Sequence, residues 1–392
     1  MTDTTPQLDL IATMPFGLES VVGRELAALG YTDQTTSDGR VQFRGDWSAI
    51  CRANLWLRSA DRVLWKIAEF HADDFDTLFE ITTLQDWPNI LGKTAAFPVR
   101  AKSVRSQLHH TPTIQSMVKK SVVESLQRRF GGTWFDESGP TYEIDVSILK
   151  DKVTLAVNTT GASLHKRGYR TLVGSAPLKE TLASALVQLS FWNRERPLID
   201  PFCGSGTIPI EAAMIGLNRA PGMHREFACG TWPQITADLW TAAKEEAKLQ
   251  EIETLEHPIL ATDIDTRAIQ LARTHAAAAG VADFIHFERK PFAELKTSRE
   301  YGCIITNPPY GERSSSQRQA EATYREMPAV FDSLPTWSFY VLASNPKFEQ
   351  TINRKADRRR KLYNGRLACT YYQFHGPRPP RSTPAPTKEP AE

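Results

Sequence analysis

Two short loops hold the residues whose types and spacing best fit a chemical step. The run from Asn307 to Tyr310 is Asn-Pro-Pro-Tyr and follows the apolar run 303–305. The side-chain oxygen of Asn307 and the carbonyl oxygen of Pro308 are two acceptors that can orient an exocyclic amine and stabilise positive charge developing on it. The prolines, including Pro309, stiffen the turn, and Tyr310 offers a ring for stacking. This pattern predicts modification of an amino group on a base, and an ordinary strand-ending turn is the alternative.

A second loop, Asp200 to Thr207, lies between the apolar run 198–199 and a segment with helical spacing. Gly204 and Gly206 would let the backbone approach a ligand closely, and a helix N-terminus favours a negative group. The carboxylate in the methionine part of S-adenosylmethionine fits such a loop as well as a phosphate does. Asp200 would then balance the ammonium group of that ligand. The two loops together predict a methyl donor facing an amine.

The residues that follow the next apolar run extend this cofactor site. Asp263 is expected to accept hydrogen bonds from the ribose hydroxyls, and Ile264 to lie against the adenine. A nicotinamide or flavin site fails because Pro209 occupies the third glycine position, and because Asp263 follows Gly204 by 59 residues rather than about 20. Asp263 or Asp265 could also cap the following helix, a role compatible with ribose binding.

The elements that must position these loops fall into three groups. Residues 1–70 alternate in the order strand, helix, strand, helix, strand, which predicts a ferredoxin-like unit with one further strand near residues 33–36. Residues 71–165 contain an extended segment, a helix with Thr111 as its N-cap, and a hairpin around residues 149–152.

The third group, residues 166–376, alternates helices with continuous apolar strands, which predicts a Rossmann-like α/β domain with a doubly wound, mostly parallel sheet. Asn364-Gly365 predicts a hairpin, so one edge of this sheet should be antiparallel. Residues 218–257 form a helical insertion. Residues 377–392 are rich in proline and charge, and predict a disordered tail.

Composition limits the classes of protein. The chain has 392 residues and a net charge of only +2, so nucleic-acid contacts must come from local basic patches. Five cysteines without a CxxC pair argue against a zinc site or disulfide framework and fit a reducing cytosol, so no metal is expected. The N-terminus lacks the apolar region of a signal peptide, and no run of about 18 apolar residues exists to span a membrane. A cytoplasmic protein without a membrane partner is predicted.

Residues 8–376 resemble the THUMP-domain class I methyltransferases, and most closely the bacterial large-subunit rRNA guanine-N2 methyltransferase L family. The resemblance is carried, in unbroken order, by residues 12–19, 164–170, 176–183, 200–207, 307–310 and 362–367. It implies a ferredoxin-like domain, a THUMP domain that grips RNA and a class I methyltransferase domain. The implied reaction is methyl transfer from S-adenosylmethionine to guanine N2 in large-subunit (23S) rRNA, with the target base extruded from its helix.

Motifs and resemblance together assign roles to individual residues. The residues assigned to the cofactor are Asp200, Pro201, Cys203, Gly204, Ser205, Gly206, Thr207, Asp263 and Ile264. The residues assigned to the target base are Asn307, Pro308, Pro309 and Tyr310. The residues assigned to RNA are Arg100, Lys102, Arg105, Lys166, Arg167, Arg170 and Arg313. A solvated face is the commoner explanation of such basic residues, and Glu312 could neutralise Arg313.

One departure from the family pattern leaves the adenine contact unassigned. Arg289 and Lys290 stand where such enzymes often place an acidic or amide residue. Three other functions share part of the pattern: tRNA guanine-N2 methylation, DNA adenine-N6 methylation, and a non-enzymatic ribosome-assembly factor that keeps a vestigial cofactor fold. The THUMP-like region weighs against DNA, and the intact loops weigh against the non-enzymatic factor. The sequence predicts neither the target nucleotide nor the oligomeric state.

Overall fold

The computed structural model describes residues 6–132, 135–170, 178–310 and 314–380, with the backbone alone described for residues 314–319. Within these ranges the strands form two sheets of seven strands each. One sheet belongs to the N-terminal half of the chain and the other to the C-terminal half.

The N-terminal half builds its sheet from seven strands, of which β3 and β5 alternate more and less buried side chains and β7 is buried along nearly its whole length. The strands are β1 (Leu8–Thr13), β2 (Gln34–Ser37), β3 (Arg40–Gly45), β4 (Arg62–His71), β5 (Val99–Val104), β6 (Ile144–Leu149) and β7 (Lys152–Asn158). The helices are α1 (Glu19–Ala28), α2 (Trp47–Trp56), α3 (Phe75–Thr83), α4 (Trp87–Leu91) and α5 (Thr111–Phe130). The strand order is β2-β3-β1-β4-β7-β6-β5. The further strand expected near residues 33–36 is confirmed as β2.

The two predicted N-terminal units share this sheet. Strand β4 pairs with β7 in antiparallel register from Leu64 opposite Asn158 to His71 opposite Lys152. The ferredoxin-like unit and the unit after it are therefore joined edge to edge by backbone hydrogen bonds. A pairing between strands so far apart in the chain leaves no local pattern in the sequence.

Two local details of this half refine the sequence expectations. Helix α5 begins at Thr111 and has His110 at its N-cap, so the cap lies one residue earlier than predicted. Pro112 still lies in the first turn, where its missing N–H costs nothing. The hairpin between β6 and β7 is confirmed, and Lys150 and Asp151 form its two-residue turn with φ of 51° and 62°.

The C-terminal half is a layered α/β domain. Its strands are β8 (Leu198–Asp200), β9 (Ile259–Asp263), β10 (Ile285–Arg289), β11 (Cys303–Thr306), β12 (Ser338–Ala343), β13 (Arg358–Asn364) and β14 (Leu367–Phe374). Its helices are α6 (Glu180–Gln188), α7 (Thr207–Gly216), α8 (Ala237–Leu249), α9 (Thr266–Ala278), α10 (Ser314–Ser333) and α11 (Phe348–Thr351). The order is β10-β9-β8-β11-β12-β14-β13, parallel up to β12. Strand β14 runs antiparallel to both neighbours, which confirms the predicted edge.

The helical insertion after α7 docks the two halves together. The guanidinium of Arg52 on α2 forms two hydrogen bonds of 2.8 Å with the carboxylate of Glu246 on α8. Trp232 stacks on Tyr142 with ring centroids 4.4 Å apart, and its indole N–H donates to the carbonyl oxygen of Thr141. None of the described helices is long and apolar enough to cross a membrane.

Candidate active site

The two predicted loops meet at one edge of the C-terminal sheet. Strands β8 and β11 are parallel neighbours, so the loops that follow them leave the sheet side by side. The hydroxyl of Thr306, the last residue of β11, donates to Oδ1 of Asp200 over 2.7 Å. Since Asn307 directly follows Thr306, this bond fixes the start of the loop predicted to bind an amine against the start of the predicted cofactor loop.

Glycines shape the cofactor loop for two distinct reasons. Gly206 precedes α7 with φ of 84°, and a Cβ there would lie 3.0 Å from Cβ of Ala272 on α9. The residue must therefore be glycine for both its backbone conformation and its close packing. Gly204 also has positive φ, 51°, but a Cβ there would meet nothing within 4 Å, because the residue borders open space. That space is where a ligand could contact the backbone.

Asp263 is tied to the cofactor loop by a main-chain hydrogen bond. Its Oδ2 accepts from the N–H of Gly204 over 2.9 Å, and its Oδ1 accepts from the N–H of Asp265 over 2.9 Å. The capping role falls to Asp265, whose carboxylate accepts from the N–H of Arg267 at the start of α9. Ile264 beside Asp263 is 63% exposed, an apolar side chain presented to the cleft.

Asp200 is fully buried with one oxygen unpartnered. Its Oδ1 accepts from Thr306 and from the N–H of Phe202, whereas Oδ2 has no hydrogen-bond partner. Burial raises the pKa of this carboxyl to about 7. A buried acceptor without a donor is costly, and the ammonium group of the methionine moiety would supply one. The residues at the site therefore fit S-adenosylmethionine.

The remaining residues of this loop have structural contacts. The N–H of Cys203 donates to the carbonyl oxygen of Thr262 over 3.0 Å, and burial raises the pKa of its thiol. The carbonyl oxygen of Ser205 lies 3.1 Å from Nδ1 of the buried His275. Pro201 borders the larger cleft, and Thr207 is the first residue of α7. His275 lacked a sequence signal, because it lies in an alanine-rich helix.

The amine-binding loop borders a cleft of about 790 Å³. Pro308, Pro309 and Tyr310 line this cleft together with Asp263 and Ile264. Helix α10 holds the loop in place, because the hydroxyl of Tyr324 donates a hydrogen bond to the carbonyl oxygen of Pro309 over 2.9 Å. Helix α10 was not predicted. Its buried residues Tyr324, Met327 and Phe331 do recur at helical spacing, but Pro328 between them is a residue that normally breaks a helix.

Asn307 lies between two clefts. It lines the 790 Å³ cleft and also a second cleft of about 560 Å³ around Asp200 and Gly204. The hydroxyl of Tyr310 donates to its Oδ1, so the predicted acceptor is already aligned and bonded. An incoming amine would replace this hydroxyl as the donor. Burial raises the pKa of Tyr310, which keeps its hydroxyl protonated.

Lys290 and Phe292 are neighbours of the cofactor site that carry no predicted role. The N–H of Lys290 donates to the carbonyl oxygen of Asp263 over 3.0 Å, and Phe292 packs against Phe202 with centroids 5.0 Å apart. Both line the 790 Å³ cleft. Apolar walls formed by Phe292 and Ile264 are suited to a purine ring.

The residues predicted to contact RNA separate into two groups. Arg100 and Lys102 are exposed on β5, the edge strand, and Arg105 is exposed just beyond it. Arg100 forms an ion pair of 2.7 Å with Glu143, and its side chain stays 63% exposed. Lys166 is exposed on the linker between the halves.

Arg167 and Arg170 correct the prediction for the linker. Arg167 is only 4% exposed, and its guanidinium bonds the carboxylate of Glu211 and the carbonyl oxygens of Leu164 and Arg58. The side chain of Arg170 is 10% exposed and donates to Thr207 Oγ1 and the carbonyl oxygen of Leu178. Donors engaged inside the protein are not available to RNA, so both residues hold α7 in place. Glu211, a lone carboxylate in an apolar helix, was the available signal.

Two predictions remain, the role of Arg313 and the expectation that no metal is bound. Arg313 lies outside the described residues, so its role stays a prediction. Within the described ranges, histidine, cysteine and acidic side chains form no group of three or more that could hold a metal ion.

The fold and site together define a class I S-adenosylmethionine-dependent methyltransferase. The model of the "RMKL-like, methyltransferase domain" matches residues 167–373. Models of the "RlmL ferredoxin-like domain" and the "THUMP domain" match residues 9–64 and 72–158. The chain therefore belongs to the THUMP-domain RMKL-like methyltransferase family, and the predicted membership is confirmed.

Similar proteins support this assignment over nearly the whole chain. "Putative RNA methyltransferase YpsC" of Bacillus subtilis is 46% identical over 369 residues, which are 93% of this chain and 95% of the relative. The crystal structure of "a predicted N6-adenine-specific DNA methylase" from Listeria monocytogenes is also 46% identical, with a TM-score of 0.90 over 95% of this chain and 97% of that one. SMU.472, solved with S-adenosylhomocysteine bound, is 42% identical, with a TM-score of 0.91 over 96% of this chain and all of that one.

Proposed function

We propose that the protein methylates the exocyclic N2 of a guanine in large-subunit (23S) rRNA. The observation that carries the amine chemistry is the position of Asn307, which borders the cleft around Asp200 and the cleft formed by the Asn-Pro-Pro-Tyr loop. A base amine held by Asn307 therefore lies next to the cofactor position. The family resemblance supplies the choice of guanine and of large-subunit rRNA.

The residues of this chain orient the amine. Bound S-adenosylmethionine supplies an electrophilic methyl group, and the amine that accepts it releases one proton. Oδ1 of Asn307 and the carbonyl oxygen of Pro308 accept hydrogen bonds from the amine and stabilise its developing positive charge. The ring of Tyr310 offers a stacking surface beside them. Asp200 and Asp263 hold the ammonium and the ribose at the other end of the site.

The open face of the N-terminal sheet supports a nucleic-acid substrate. Strand register aligns Arg100, Asp145, Ala156 and Lys66 in one row across four strands, and directly opposite residues point to the same face. Arg40 donates to Thr154 in the next row, which includes Lys102. We call the basic side chains Arg40, Lys66, Arg100 and Lys102 the open sheet face. Arg100 and Lys102 are exposed, whereas Arg40 and Lys66 are half-buried. Such a surface can contact backbone phosphates over a wide area.

The choice between RNA and DNA rests on the N-terminal half. The names of the two relatives that are 46% identical disagree, since YpsC is described as an RNA methyltransferase and the Listeria protein as a DNA methylase. The match to a THUMP domain at residues 72–158 favours RNA for this chain. Recognition of folded RNA by shape is the expected mode.

The test is methyl transfer from labelled S-adenosylmethionine to unmodified large-subunit rRNA, tRNA and duplex DNA, followed by digestion to nucleosides. We expect N2-methylguanosine from rRNA alone, and a strongly reduced rate of labelling with the Asn307→Ala variant. Label in tRNA or in DNA adenine would overturn the substrate while keeping the amine chemistry. Cofactor binding without transfer to any of the three would favour the non-enzymatic assembly factor.

A further inference from the structure

A third cleft lies between the two halves, near the amino-terminal end of β8, whereas the candidate active site lies at the carboxyl end of that strand. It has a volume of about 650 Å³. One wall is formed by α1 and the end of α2, and the other by the loop that precedes β8 together with the C-terminal end of α7. Because β8 runs from this cleft towards Asp200, the β-sheet separates the two sites. None of the residues assigned to the cofactor or the base lines the cleft.

Arg58 lines this cleft with a buried guanidinium that is not fully hydrogen-bonded. Its main chain is fully engaged, since its N–H donates to Oε2 of Glu25 and its carbonyl oxygen accepts from Arg167. Its side chain is different. Arg58 is 7% exposed, and Nη1 of its guanidinium is buried without a hydrogen-bond partner. Its Cζ lies 6.0 Å from the centroid of the Trp56 ring, a cation–π contact that leaves this N–H group unpaired. The buried Nε1 of Trp56, on the same wall, also has no partner.

The two carboxylates near Arg58 accept hydrogen bonds from other residues. The carboxylate of Glu25 accepts from two main-chain N–H groups and from Nε2 of Gln188. The carboxylate of Glu211 accepts from Arg167, Tyr169 and Ser184. Neither forms an ion pair with Arg58 within the described residues. Burial lowers the pKa of Arg58 to about 10, so its guanidinium stays charged at neutral pH.

A buried charge without an ion-pair partner is expensive, and a native structure normally gives it one. Arg24 and Arg194, both exposed, add positive charge at the mouth of the cleft, where Glu195 is the exposed acidic neighbour. Apolar side chains such as Leu29 and Ile215 form part of the walls. A volume of this size accommodates a small ligand with one flat apolar part.

We propose that this cleft binds a phosphate group, carried by a nucleotide or by an RNA strand, with Arg58 as its central contact. The guanidinium would donate to the phosphate, and Arg24 and Arg194 would attract it. Only the RNA source depends on the proposed function. The anion site itself is independent of methyl transfer.

The first experiment measures the midpoint of thermal unfolding against inorganic phosphate, at an ionic strength held constant with sodium chloride and without cofactor or RNA. We expect a saturable rise for the wild-type protein and its loss in Arg58→Met. In phosphate-free buffer, Arg58→Met should unfold at the same temperature as wild type or higher, because it removes a buried charge that has no ion-pair partner. A purely structural arginine would instead make the variant less stable.

Arg52→Met is the matched control. Arg52 is also a partly buried arginine on this half, but its guanidinium is satisfied by Glu246, the carbonyl oxygen of Leu29 and the hydroxyl of Tyr31. Its loss should lower the unfolding temperature and preserve the phosphate response. If Arg58→Met fails to fold, the double variant Arg24→Gln with Arg194→Gln should weaken phosphate binding about tenfold, since both side chains are exposed.

The second experiment identifies the source of the phosphate. Titrations with 5′-GMP and with a short single-stranded RNA without terminal phosphates are compared in wild type and Arg58→Met. Binding of 5′-GMP that Arg58→Met weakens at least about tenfold assigns the site to a free nucleotide. The same loss for the RNA alone assigns it to a strand. An unsaturable phosphate response in wild type, or an equal response in Arg58→Met, would overturn the proposal.

Discussion

The two seven-stranded sheets use polar residues in opposite ways. In the C-terminal sheet, β8, β11 and β12 are buried along their whole length, and the polar groups of the site begin where the strands end. In the N-terminal sheet, β5 alternates half-buried and exposed residues, so polar side chains such as Arg100 and Lys102 lie on a face. A site at strand ends concentrates a few groups on one small ligand, whereas a face spreads many charges over a large one. Mutations should therefore have large, local effects in one sheet and small, additive effects in the other.

The largest effect is expected at the end of β11. Asn307→Ala removes an acceptor that acts on the developing charge, so kcat should fall by about 10²–10³ while the Kd for S-adenosylhomocysteine stays unchanged. Single-turnover methyl transfer and calorimetric binding measure the two quantities. A rate within about tenfold of wild type would show that Asn307 has no role in the transition state.

The next effect is expected at the end of β9. Asp263→Ala should weaken S-adenosylhomocysteine binding by about 10–100-fold, because it removes a charged acceptor for the ribose and releases the N–H of Gly204. Asp265→Ala is the matched control. Because Asp265 caps α9, this substitution should lower the free energy of unfolding by about 1 kcal/mol. Equal Kd values for the two variants would contradict the ribose assignment.

A pH dependence is expected at the end of β8. Burial raises the pKa of Asp200 to about 7, so its charge, and with it the attraction for an ammonium, appears as pH rises through 7. Binding of S-adenosylhomocysteine should be about tenfold weaker at pH 6 than at pH 8, and Asp200→Asn should remove the difference. In the ligand-free protein the raised pKa has the opposite consequence, because stability is lost as pH rises from about 4 towards 7. A flat binding profile for wild type would refute the assignment.

The smallest effect is expected on the open sheet face. Arg100→Ala with Lys102→Ala should lower RNA affinity a few-fold and reduce the salt dependence of binding by roughly 1–2 counterions, with kcat at saturating RNA unchanged. Arg128→Ala with Arg129→Ala is the control, because these exposed residues lie on α5 rather than on β5. If the control pair weakens binding more, RNA contacts the helical side of the sheet.

The same contrast explains what could be predicted from sequence. The predicted cofactor and amine loops follow apolar runs and contain glycine and proline with specific backbone requirements, so local patterns suggested both, and the structure brings the two loops together. The pairing of β4 with β7 could not be found, because it joins strands distant in the chain. Arg167 was misassigned because a basic run has the same appearance whether exposed or buried, and its partner Glu211 lies 44 residues away.

The pairing of β4 with β7 has a consequence for synthesis of the chain. Strand β4 is complete at residue 71, but its partner is complete only at residue 158. At a usual elongation rate the ribosome needs on the order of ten seconds to make the intervening segment, and during that time β4 is an unpaired sheet edge. Lys66 and Glu69 interrupt the apolar character of this strand with charge. They would discourage pairing with a neighbouring nascent chain until β7 emerges.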